Sequence, residues 1–317
     1  MRITTDGEVG VSETRSVVAL GVFDGLHRGH QMLIAQLLRL ADEFDAEACV
    51  VTFDPHPASI LAPSKAPRLI STLSQRLEGL AALGVMHTRV VTFNAETAAE
   101  TAEEFVSRVL VDELGAVAIL VGDDTHFGRN RSGNVALLRS LGPEMNFDVI
   151  EAPSYGGPER FSSTHVRAAL LEGELALAEA LLGHPFVLRG TVVHGDHRGR
   201  EIGYPTANLL LADAQLIPRL GIYAAAAWVE EEWRAAAVSV GQRPQFYDEG
   251  AVLVEAHLPG FSGDLYAQTI DIAFIQRLRA EAKFETLDAL LRQMSSDVTD
   301  TVEIFRKFTP SGPFLLR

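Results

Sequence analysis

Two histidines three positions apart, His27 and His30, follow an apolar run in the segment Gly21-Val22-Phe23-Asp24-Gly25-Leu26-His27-Arg28-Gly29-His30. The spacing places both imidazoles at the opening of a helix, where unpaired backbone N–H groups attract phosphate. Gly21 and Gly29 leave the backbone open to close approach, and Phe23 and Asp24 complete the turn. In that setting two imidazoles can stabilise charge developing on the α-phosphate and the departing pyrophosphate of a nucleotide. A zinc site fits less well, because no Cys or Glu stands at ligand spacing. Two surface histidines after a strand would be the plain alternative.

A second string runs Gly195-Asp196-His197-Arg198-Gly199-Arg200-Glu201-Ile202-Gly203-Tyr204-Pro205-Thr206-Ala207-Asn208. Glycines around Arg198 and Arg200 suit a flap over phosphates. Thr206 and Asn208 stand two apart, so on a strand they share a face. A hydroxyl and an amide oxygen there can help hold Mg²⁺ and orient ATP phosphates. Read plainly, the same residues are a hairpin turn followed by the start of a strand.

Two different scaffolds must hold these groups. In the first part, β-branched runs at 17–23, 48–53, 89–93, 117–121 and 147–150 alternate with helical spacing at 31–44, 73–83, 101–114 and 135–141. That alternation predicts a parallel sheet covered by helices, with chemistry beyond the carboxyl ends of the strands: the loops after Phe23, Phe53 and Val121. Helices are expected at 165–171 and 176–182. Beyond them, runs at 186–193, 206–211, 222–229, 234–240, 251–258 and 269–275 predict a compact barrel, closed by a helix over 287–305. The division falls at 1–183 and 184–317.

Composition bounds the partners. Over 317 residues, Lys+Arg 27 against Asp+Glu 42 leaves a net charge of −15, which repels nucleic acid and anionic lipid away from local basic patches. The longest apolar runs fall far short of the ~20 residues that span a bilayer. No apolar leader follows Met1, and a single cysteine, Cys49, has no intrachain partner. These features lead us to expect a cytoplasmic protein acting on small molecules, with neither nucleic acid nor membrane as partner; a weak homo-oligomer is left open.

The His27–His30 segment resembles the HxGH signature of nucleotidyltransferases with a Rossmann-like sheet. Phe53-Asp54-Pro55-His56-Pro57 and Ser162-Ser163-Thr164-His165-Val166-Arg167 narrow the resemblance to the bacterial bifunctional riboflavin kinase/FAD synthetases. The second string resembles the riboflavin kinase signature ending in PTAN, and Val254-Glu255-Ala256-His257 resembles that enzyme's VE-x-H. The likeness runs from about Val17 to Val302.

It implies an α/β HxGH nucleotidyltransferase domain followed by a small riboflavin-kinase-like β-barrel with a C-terminal helix. ATP and flavin would be substrates and Mg²⁺ the metal. Riboflavin would be phosphorylated to FMN, and FMN adenylylated to FAD. Beside His27 and His30, the resemblance makes Arg167 a phosphate clamp, Ser163 and Thr164 phosphate donors or caps, and Glu255 the base toward the ribityl hydroxyl. It assigns nucleotide contacts to Gly21, Phe23, Asp24, Gly29, Gly195, Gly199, Arg200 and Gly203, and flavin contacts to Phe53, Asp124, Phe127, Arg279 and Phe284. Thr206 and Asn208 serve the metal. The chain departs from the family pattern at Thr125, where an aromatic is usual, and at His165, His184 and Gln245. Those departures keep two alternatives in view: a divergent paralogue with another acceptor or one active module, and a non-catalytic flavin or nucleotide binder.

Overall fold

The structure, a computed structural model, describes residues 1–7, 14–153, 155–156, 160–195, 199, 202–242 and 252–310. Its contacts divide the chain into two compact units, Met1–Pro67 with Leu73–Ser162, and Arg68–Thr72 with Ser163–Arg317.

The first unit is built on six strands: β1 (Arg2–Thr4), β2 (Ser16–Leu20), β3 (Glu47–Asp54), β4 (His87–Thr92), β5 (Ala116–Gly122) and β6 (Asp148–Ala152). They form one parallel sheet in the order β1-β4-β3-β2-β5-β6. All five residues of β2 are buried, as befits a central strand with helices packed on both faces. Between the strands run α1 (Arg28–Glu43), α2 (Pro57–Leu61), α3 (Leu73–Ala82), α4 (Ala95–Ala99), α5 (Ala102–Phe105) and α6 (Val135–Met145). Strand order reverses around β2, which places the β2–α1 turn at the switch point where such sheets bind ligands.

Three local expectations change. The first helix opens at Arg28 rather than near Gln31, because His27 caps it. The helix predicted over 101–114 begins with a Thr101–Glu104 capping box, then widens into a π-helix over Val106–Glu113. Strand β1 has no period-2 run long enough to announce it, and pairing with β4 alone defines it.

The second unit carries α7 (Ser163–Glu172) and α8 (Leu175–Leu182), then β7 (Phe186–Val193), β8 (Ala207–Leu211), β9 (Gly221–Val229), β10 (Glu232–Gln242), β11 (Val252–His257) and β12 (Thr269–Arg279). The strands close an antiparallel barrel in the order β10-β11-β8-β7-β12-β9. The run Ala224–Ala227 in β9 is fully buried, as are Tyr223 and Phe274. Helix α9 (Leu287–Phe305) packs on β9, β10 and β12.

Candidate functional sites

In the first unit, Phe23 and Leu26 take left-handed backbone angles, φ 57° and 43°, flanking Gly25 at 79°. Such angles are costly for residues with a Cβ and persist where packing over-determines them. Here both side chains are buried in the core. The turn delivers His27 to the N-cap of α1, where its Nδ1 accepts from the His30 backbone N–H at 3.4 Å. The two imidazoles then stack, centroids 3.6 Å apart and planes 18° from parallel, with Phe23 5.1 Å from the His30 ring. The His30 Nδ1 is sealed from solvent and is one of a handful of buried polar side-chain atoms, among the described residues, without a hydrogen-bond partner. Burial, and then the neighbouring His27, hold the His30 pKa well below the ordinary 6.5. At neutral pH its ring is therefore uncharged. Gly29 permits this packing, since a Cβ there would lie 3.2 Å from the His27 ring. Gly21 is similarly tight against the Phe23 ring, and Asp24 is buried in the turn.

Arg76 belongs to none of the sequence motifs. It lies on α3, spaced with Gly79 and Leu80 along the buried face of that helix, and no solvent reaches it. A positive charge at an apolar-face position was the available signal. Phe53 and Phe127 belong to the core of this unit: Phe105 lies 6.1 Å from one ring and 5.8 Å from the other. Asp124 is exposed and, with Asp123, pairs with Arg160 at 3.0 and 2.8 Å.

Ser163, Thr164 and Arg167 open α7 and belong to the second unit. There the Arg167 Nε donates to the Arg68 carbonyl at 2.7 Å.

The barrel contains a cavity of about 820 Å³, lined among others by Gly195, Gly199, Thr206, Asn208, Ser239 and Glu255. This is a size that admits a small organic ligand. Strand register brings the last three together: Glu255 on β11 pairs with Asn208 on β8 and with Ser239 on β10. Directly opposed residues share a face, so carboxylate, amide and hydroxyl converge. Thr206 falls one residue before β8 rather than within it, still two positions from Asn208. Gly195 and Gly199 close over this group: a Cβ on the first would come within 2.4 Å of the Asn208 amide, and on the second within 2.3 Å of the Tyr204 carbonyl oxygen. Gly203 has φ 88° with open space around it. Arg200 and Gln245 lie outside the described residues. His257, two residues after Glu255, donates from Nδ1 to the Pro205 carbonyl at 2.8 Å and so pins the turn carrying Thr206, a link the motif itself did not disclose.

Arg279 and Phe284 do meet: the guanidinium lies 5.8 Å from the ring centre. The same guanidinium forks onto Asp297 of α9 at 2.7–3.1 Å, anchoring that helix beside the cavity.

Among the described residues no group of three or more His, Cys, Asp or Glu side chains is placed to hold a metal. The oxygens of Thr206, Asn208 and Glu255 are hard donors of the kind Mg²⁺ takes alongside substrate phosphates, so the donor set fits that ion.

A doubly wound parallel layer and a closed barrel with a glycine-covered cavity together define a two-module transferase. The family model for FAD synthetase matches residues 11–165, and that for riboflavin kinase matches residues 182–305. The bifunctional riboflavin kinase/FMN adenylyltransferase of Escherichia coli (strain K12) is 38% identical over 93% of this chain and 94% of its own. The protein of that name from Listeria monocytogenes is 35% identical over 96% of both. A crystal structure described as a macrolide-efflux protein from Streptococcus pneumoniae superposes with a TM-score of 0.85 at 31% identity, covering 98% of this chain and 100% of its own. The chain belongs to the bifunctional riboflavin kinase/FMN adenylyltransferase family. No helix among the described residues is long and apolar enough to cross a membrane.

Proposed function

We propose that this chain makes FAD from riboflavin in two ATP-consuming steps, with residues 184–317 as the kinase module and 1–183 as the adenylyl-transfer module. The observation that carries the kinase reading is the cross-strand pairing of Glu255 with Asn208 inside one cavity with Thr206.

In the kinase step the Glu255 carboxylate takes the proton of the ribityl 5′-hydroxyl as that oxygen attacks the γ-phosphorus and ADP leaves. Thr206 and Asn208 would hold Mg²⁺, which when bound neutralises charge on the phosphates. Gly195, Gly199 and Gly203, with Arg200, cover the nucleotide. Arg279 and Phe284 border the flavin.

In the adenylyl step an FMN phosphate oxygen attacks the ATP α-phosphorus and the bond to the bridging oxygen breaks, releasing pyrophosphate. No covalent enzyme intermediate is needed. His27 and His30 bear the developing charge, and backbone amides of the α1 N-terminus bind phosphate, with Gly21, Phe23, Asp24 and Gly29 shaping that turn. Ser163, Thr164 and Arg167 are assigned to phosphate on their motif. Phe53, Asp124 and Phe127 are assigned to the flavin side on theirs, the two phenylalanines acting from the core beneath the loops. ATP, riboflavin and FMN are the partners proposed, in a reducing cytoplasm consistent with one buried thiol.

The test is incubation with riboflavin, ATP and Mg²⁺, followed by chromatographic separation of the flavins. FMN and FAD are both expected. His30→Ala should stop at FMN; equal loss of both products would count against two separate sites.

A further inference from the structure

A guanidinium shut away from water ordinarily sits on a close carboxylate. The ion pair of Arg76 with Asp54 is long, 3.4 Å, and the Asp54 side chain is 44% exposed, while the buried Asp24 adds a second favourable charge. Its shorter contacts go to the turn two residues past β2 and to the end of β3. Nη1 donates to the Val22 carbonyl at 2.8 Å, to the Thr52 hydroxyl at 3.2 Å and to the Phe53 carbonyl at 3.3 Å. The Thr52 hydroxyl in turn donates to the same Val22 carbonyl at 3.0 Å. Val22 immediately precedes the left-handed Phe23, and the strained turn from there runs directly into His27.

We infer that Arg76 is a positioning residue for adenylyl transfer, tying the turn after β2 to the end of β3 so that the turn presents the stacked His27 and His30 rings in one orientation. The alternative is a core-filling side chain, but an aliphatic residue would fill the space without the desolvation that burial of a cation exacts. The charges of Asp24 and Asp54 offset part of that desolvation and keep the group cationic. The planar fork also explains why arginine serves here: Nη1 and Nη2 reach two places at once, the Val22–Thr52–Phe53 acceptors and Asp54, whereas a lysine ammonium gathers its donors on one nitrogen. Because the reacting phosphates would be sensed through ring orientation, loosening the clamp should slow the chemical step more than it weakens binding.

The role presupposes adenylyl transfer at this site. FAD formation from supplied FMN and ATP is measured in the full-length protein and in Arg76→Met, Arg76→Lys and Thr52→Val, each with its melting temperature and riboflavin phosphorylation as internal controls. Both Arg76 variants should lose about ten- to a hundred-fold in kcat with KM for ATP and FMN within about three-fold, and Thr52→Val should lose less. Phosphorylation of riboflavin should be unchanged in all three. Folded variants with parental kcat overturn the inference, as does a loss that only follows the unfolded fraction. If Arg76→Met does not fold, Arg76→Lys and Thr52→Val decide by the same criterion. A parent protein that makes FMN but no FAD overturns the adenylyl-transfer reading itself, whereas a parent that makes FAD beside indifferent variants overturns the clamp alone.

Discussion

Single protons and single atoms set the sharpest expectations. His30 is held neutral by burial, while the unfolded chain takes up a proton there near pH 6.5. The unfolded state thus binds more protons below that value, and the sign is fixed: this contribution to stability is complete above pH 6.5 and is lost as the pH falls. His87, lowered by burial and then by the charge of Arg2, acts in the same direction. Melting temperature should decline between pH 7.5 and pH 5, and His30→Gln should flatten that decline; one such group contributes at most about 1.4 kcal/mol per pH unit. An unaltered slope would remove His30 from the explanation. In the barrel cavity, Glu255→Gln keeps shape and removes the proposed proton acceptor. Riboflavin phosphorylation should fall by about 10²–10⁴-fold, with adenylylation of supplied FMN intact, as separate flavin assays would register.

Elements decide which of these groups meet. Glu255 faces Asn208 only because β11 pairs with β8 in one register, and a slip by one residue would turn the carboxylate to the other face. The cover over that face depends on close backbone approach at Gly199. Gly199→Ala drives a methyl into the Tyr204 carbonyl, so the turn must move. Kinase activity should drop at least ten-fold while FAD formation from FMN is kept; an unchanged kinase rate would show that the cover is dispensable. In the first unit the helix start does the corresponding work. His27 both caps the helix and stacks on His30, so the same side chain that ends the turn also fixes its partner ring.

At the scale of the whole chain, the two proposed chemistries fall to two separate sets of side chains. That predicts complementation. Neither His30→Ala nor Glu255→Gln alone should convert riboflavin to FAD, and an equimolar mixture of the two should do so, because FMN released by one can be taken up by the other. Chromatography of the mixture checks this, and a mixture no better than its parts would mean that FMN does not exchange.

What the residues alone determined was substantial. Period-2 and period-3.6 patterns located nearly every strand and helix, with β7 and α9 matching to the residue. Hydrophobic periodicity survives into any fold that buries those faces, and the motifs were legible because tight turns demand glycine and phosphate chemistry demands His, Thr, Asn and Glu. Tertiary structure decided the rest. Short β1 exists through pairing with a distant strand, the widened turn after Phe105 through packing, and Thr206 falls outside its strand because the Pro205 turn delays pairing. The role of Arg76 is the clearest case. Its partners lie 22–24 and 54 positions away in the chain, and a contact of that range is set by the path of the backbone, which no local pattern encodes.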